Sequence, residues 1–172
     1  MQSVFRFIME ILKFILTFLL IVSLNSCKSF KKKDINYVKL GFEHSRRIPY
    51  NKLSIELFKK SNEATIKIHS RPLLGERAWD YSVIDTTFKL SLNEFLNIAK
   101  NVEKLKSCEN ESPSNIGKDG SYCPIQFGSK GKYKTCTMWS PDYETEKRGL
   151  DKFLKLSESI IILGQLNPKD IL

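Results

Sequence analysis

Leu53-Ser54-Ile55-Glu56-Leu57-Phe58-Lys59-Lys60-Ser61-Asn62-Glu63-Ala64-Thr65-Ile66-Lys67-Ile68-His69 is two alternating runs joined at Ser61-Asn62. Leu53, Ile55 and Leu57 alternate with Ser54, Glu56 and Phe58, and Ala64, Ile66 and Ile68 alternate with Thr65, Lys67 and His69. Successive side chains of a strand point to opposite faces, so this period of two predicts an antiparallel hairpin with one buried and one solvated face. Phe58 falls on the solvated side, where an aromatic ring needs a covering neighbour or a partner.

Downstream, Leu90-Ser91-Leu92-Asn93-Glu94-Phe95 has the form of a helix start. Ser91 accepts from the first free amides, Glu94 reaches back to the Ser91 amide, and Leu90 packs on Phe95 across the first turn. Leu92, Phe95, Leu96, Ala99, Val102 and Leu105 continue at spacings of three and four, which predicts an amphipathic helix ending near Ser107. Residues 122–127 and 132–139 read as a second hairpin around Gly128-Ser129-Lys130-Gly131. Ser140-Pro141-Asp142 then resembles another helix start, with Leu150, Phe153, Leu154, Ser157, Ile160 and Ile161 forming its apolar stripe to about Leu163. Gly149 inside that span costs about 1 kcal/mol relative to alanine and marks either close packing or a break.

Ser82 to Leu90 has strand character, whereas Ile35 to Pro49 reads equally as a short strand or an irregular lead-in. Arg71 to Tyr81 breaks the alternation at Pro72 and Gly75 while carrying Leu73, Leu74 and Trp79, apolar residues that pack on the core or on another molecule. The predicted order is βββαββα. It makes an α+β domain over residues 51–166, an antiparallel sheet of about five strands with both helices on one face.

Four cysteines occur, at 27, 108, 123 and 136. With Phe127 facing Lys132 across the second turn, Cys123 faces Cys136, within disulfide reach for directly opposed antiparallel residues. Cys108 at the end of the preceding helix is the competing partner, and buried free thiols are the third arrangement. The spacing holds no C-x-x-C and no adjacent histidine, so it does not read as a zinc site.

At the start of the chain, Arg6 and Lys13 precede the apolar run Phe14 to Leu24, which ends at Leu24-Asn25-Ser26-Cys27. The run is shorter than the roughly 20 residues that span a bilayer and has the length of a signal-peptide core. This arrangement resembles a bacterial lipoprotein signal. The resemblance implies cleavage after residue 26, with Cys27 as a diacylated N-terminus and residues 27–50 as a basic tether. The other reading is a retained anchor helix from Phe5 to Ser26, with Lys28, Lys31, Lys32 and Lys33 on its cytoplasmic side. In layout the remainder is similar to small bacterial lipoproteins, some of which act as immunity or inhibitor proteins.

The formal charge of +9 is unevenly placed. Residues 28–60 carry ten Lys or Arg against three Asp or Glu, and residues 61–172 carry sixteen against fifteen. A basic segment beside a lipid anchor adds attraction to anionic head groups. The nearly neutral remainder lacks the basic stripe with interleaved aromatics that nucleic-acid binding needs.

His44 and His69 are the only histidines, and spacing fixes no acid beside either. No nucleophile elbow, metalloprotease, phosphate-loop or dinucleotide pattern is found, and no cofactor is expected. Glu109, Glu111 and Asp119 read as solvated loop acids. The expectation is therefore an envelope lipoprotein that binds a protein partner through Phe58, His69, Leu73, Trp79 and Tyr81. The alternative is a small envelope hydrolase whose site is assembled from distant residues. A concave pocket with a histidine beside a carboxylate favours the second reading, and an exposed apolar loop over a flat sheet favours the first.

Overall fold

The computed structural model describes residues 34–44, 52–70, 84–105, 120–129 and 131–172. All belong to one compact unit, Lys33–Leu172. Its elements are β1 (Tyr37–His44), β2 (Lys52–Lys60), β3 (Glu63–Ser70), β4 (Ile84–Leu90), α1 (Leu92–Val102), β5 (Ser121–Ser129), β6 (Lys132–Trp139) and α2 (Asp151–Leu163), followed by a 3-10 turn at Pro168–Asp170. The strands form one antiparallel sheet in the order β4-β3-β2-β1-β5-β6.

The α+β class holds, with six strands where five were expected. The sixth is β1, from the stretch whose sequence left strand and lead-in open. Val38, Leu40 and Phe42 alternate inward and are buried, and β1 lies between β2 and β5 in mid-sheet. The domain therefore starts earlier than residue 51. It also extends past 166, because Ile171 behind the 3-10 turn is fully buried.

The inner face of the sheet is apolar through its central strands. Leu53, Ile55 and Leu57 of β2 and Ala64, Ile66 and Ile68 of β3 are each at most 3% exposed, as the alternation in the first hairpin requires. Both helices cover this face. Helix α1 packs on β2, β3 and α2. Ser157 of α2 places its hydroxyl 3.8 Å from the Cys123 thiol of β5. Where α2 ends, an added Cβ on Gly164 would meet the Cδ1 atoms of Ile55 and Ile68 at 3.3 Å. Full burial of each such aliphatic side chain stabilises by about 1.5–3 kcal/mol. No helix among the described residues is long and apolar enough to cross a membrane.

Helix α1 starts where its capping box places it. The Glu94 amide donates to Ser91 Oγ (3.2 Å), and the Ser91 amide donates to Glu94 Oε2 (3.0 Å). The helix ends at Val102, sooner than Ser107, in a turn closed by the Leu105 amide on the Val102 carbonyl. Helix α2 departs further from expectation. Ser140 is not its cap: residues 141–149 form successive turns, and the helix begins at Asp151. Two causes are visible. Gly149 adopts φ +67°, which breaks any helix through it. Arg148 donates from Nη1 to the carbonyls of Ser140 (2.8 Å) and Tyr143 (2.7 Å), and from Nη2 to that of Trp139 (2.5 Å). Its guanidinium also lies 5.8 Å from the Trp139 ring centroid, so these turns are clamped at the end of β6.

The second hairpin corrects the expected disulfide. Strands β5 and β6 continue to Ser129 and Lys132, with Gly131 at φ +77° in the tight turn between them. Strand pairing continues through Gly128, where an added Cβ would lie 2.1 Å from the Lys132 carbonyl oxygen. Each residue therefore meets a partner two positions beyond the expected one: Cys123 faces Met138, and Cys136 faces Ile125. Diagonal neighbours in a sheet are about 7–8 Å apart, beyond disulfide reach. Cys123 is accordingly a free, buried thiol. Burial pushes it up to about 12, against the hydrogen bond it shares with Ser157. Cys136 is disulfide-bonded. The competing residue, Cys108, lies outside the described residues.

Candidate functional site

With the helices on one face, the other face of the sheet is left open, and the strand registers arrange it in four parallel rows. Lys52, Glu43, Tyr122 and Trp139 form the first. Asp85, His69, Ser54, Gly41, Pro124 and Thr137 form the second, across all six strands. The third is Thr87, Lys67, Glu56, Lys39, Gln126 and Thr135. The fourth is Thr65, Phe58, Tyr37, Gly128 and Tyr133. Rows two residues apart on a strand are about 7 Å from each other.

Small side chains in the second row make a trough. Gly41 has no side chain because Pro124 occupies the space: an added Cβ would lie 2.8 Å from the proline ring. Ser54 and Thr137 are short, while Lys39, Glu56 and Lys67 stand on one side and Glu43, Lys52 and Tyr122 on the other. The half-open hollow between them measures about 770 Å³, within the range of ligand pockets. A second hollow of about 740 Å³ lies over the third and fourth rows, and Glu56 lines both.

Charges in the trough are mostly paired. Lys39 Nζ lies 2.9 Å from Glu56 Oε1, and the Ser54 hydroxyl donates to the same oxygen at 3.3 Å. Lys52 and Glu43 are 3.7 Å apart. His69 Nδ1 lies 3.4 Å from Asp85 Oδ2. Lys67 has no ion pair among the described residues. Three lysines thus offset three carboxylates, and the trough carries no field that would select a polyanion.

The fourth row is aromatic. Tyr37 stands between Phe58 (ring centroids 5.1 Å apart) and Tyr133 (5.2 Å). Tyr133 reaches Tyr37 across β5 because Gly128 separates them without a side chain. Burial, then the Glu56 carboxylate, then Tyr133 push the Tyr37 phenol up to about 12. Phe58 remains 39% exposed and Tyr133 51%, so the row is an apolar shelf facing outward.

Of the residues singled out in the sequence, Phe58 and His69 come to this face, one on the shelf and one in the trough. Leu73, Trp79 and Tyr81 lie outside the described residues, as do Cys27 and the loop acids Glu109, Glu111 and Asp119. His44 closes β1 with its ring stacked 6.4 Å from Phe42. Sequence reasoning missed Asp85, Ser54 and Tyr37. Ser54 was within reach, since a two-residue turn at Ser61-Asn62 sets it opposite His69. No three metal-capable side chains are grouped among the described residues. Compared with known proteins, the chain matches no family model and none of the curated sequences.

Proposed function

We propose that this chain is an exported, lipid-anchored recognition module that binds a protein partner on the open face of its sheet. The observation that carries this is the asymmetry of the sheet: helices cover one face, while the other presents a trough of alternating charge beside an aromatic shelf. Exposed Tyr and Phe with a mixed-charge surround are the composition of a protein-binding patch. Anchoring rests on the signal-like start and Cys27, with the basic tether as a second contact to anionic lipid. An inhibitor or immunity role is the specific form that the layout resemblance supports.

The test uses the full-length chain in a bacterial host, with a photo-cross-linking residue at position 58 on the shelf or at position 162 on α2. Ile162 is a control that is, if anything, more accessible, at 61% exposed against 39% for Phe58. Adducts to a discrete protein from position 58 and none from position 162 are expected; equal yields from both would remove the open face from the account. Mass spectrometry of the same material reads the anchor, as a diacylated Cys27 terminus or an intact methionine start. The hydrolase reading is favoured by one observation, a histidine beside a carboxylate in a concave trough.

A further inference from the structure

Asp85, His69 and Ser54 stand side by side on β4, β3 and β2, in the order in which an acid, a base and a nucleophile cooperate. This builds on the hydrolase reading and goes beyond it by naming the nucleophile and the substrate class. We propose that the three form a hydrolytic site for carboxylic esters, with Ser54 as nucleophile, His69 as general base and Asp85 orienting the imidazole.

The geometry supports each role. The Asp85 carboxylate takes the Nδ1 side of His69 at 3.4 Å, which leaves Nε2 as the nitrogen to receive a proton from Ser54. The same register pairs Ser54 directly with His69. Side chains opposed in this way have Cβ atoms about 4.5–5.5 Å apart, close enough for a hydroxyl to reach an imidazole. In the resting structure the Ser54 hydroxyl instead donates to Glu56 Oε1 at a long 3.3 Å. Attack requires the hydroxyl to leave Glu56 for His69 by a χ1 step between staggered wells, and such steps take picoseconds to nanoseconds.

In the reaction, Ser54 Oγ bonds to the acyl carbon as its proton passes to His69 Nε2. The tetrahedral adduct then expels the alcohol, which leaves with that proton. Water attacks the acyl-Ser54, His69 takes the water proton, and Ser54 Oγ departs and recovers it. The net change is ester plus water to acid plus alcohol.

The oxyanion decides the substrate. On a sheet face the backbone amides point sideways into the ladders, so no pair of them stands over the trough. Lys67, one residue pair further along β3, supplies the charge in their place. Losing an oxyanion donor typically costs 10²–10³ in rate, so esters with good leaving groups turn over and amides do not.

The experiment treats the full-length chain with a fluorophosphonate probe and with p-nitrophenyl butyrate. Phosphonylation at Ser54 is expected, abolished in Ser54→Ala and reduced about 100-fold or more in His69→Ala. It should be unchanged in Ser159→Ala, a serine on the exposed side of α2. Asp85→Asn should slow ester turnover about tenfold or more while leaving circular dichroism unchanged. Labelling of the wild type no faster than Ser54→Ala, or a mark on another serine, would overturn the proposal. Cross-linking from position 58 reads partner capture and this assay reads a mark on one oxygen, so the failure of either is seen separately.

Discussion

The two faces of this sheet are made by the same strands and differ in almost every physical respect. On the covered face, Ile55, Leu57, Ile66 and Ile125 are fully buried against α1 and α2. On the open face, the residues next to them in sequence, Ser54, Glu56, Lys67 and Gln126, meet solvent, one another and two hollows. Alternation sorts the chain into a face that holds the fold and a face free to vary in chemistry. Stability should therefore respond to one set of positions and recognition to the other.

The largest expected break in this comparison is Phe95→Ala. Phe95 is fully buried on α1, and its removal should cost about 3–5 kcal/mol in chemical denaturation, whereas Phe58→Ala on the shelf should cost under about 1 kcal/mol while weakening partner capture. Next comes Ser91→Ala, which removes the capping box of α1 and should cost about 0.5–2 kcal/mol. The hydrogen bonds from Ser91 hold the Glu94 carboxyl below its ordinary value. Its stabilisation is thus present at neutral pH and lost as pH falls through the native pKa, so the penalty of Ser91→Ala should shrink in acid.

Smaller still is Glu56→Gln, which breaks the Lys39 pair and should move stability by no more than about 1 kcal/mol at neutral pH. Its signature is spectroscopic. The Glu56 carboxylate helps to hold the Tyr37 phenol up, so the substitution should lower that titration in ultraviolet absorbance. The native chain keeps this proton to about 12, whereas an unfolded tyrosine releases it near 10. Stability should accordingly fall as pH rises between the two, and less steeply in Glu56→Gln. Smallest in amplitude, the buried Cys123 thiol should stay unmodified by an aromatic disulfide reagent until the chain unfolds.

How much of this was legible depends on how far each signal reached. The first hairpin was readable to its register, because two turn residues leave no room for slippage. The start of α1 was readable because its cap is local to four residues. The second hairpin slipped by two because a run of Gly-Ser-Lys-Gly accommodates either a four-residue loop or a tight turn, and only packing through Gly128 decides between them. Ser140-Pro141-Asp142 resembled a cap, but Arg148, eight residues on, binds the same carbonyls into turns. The trough was illegible for a similar reason: Asp85 meets His69 only through the register of β4, and the connection over residues 71–83 is too long to set it.

The division of labour between the faces is tested most directly by one combined variant, Phe58→Asp, Lys67→Glu and Tyr133→Asp, melted and assayed for partner cross-linking in parallel. A melting temperature within a few degrees of the wild type, together with loss of cross-linking, is the predicted result. Retained cross-linking in a folded variant, or collapse of the fold itself, would contradict it.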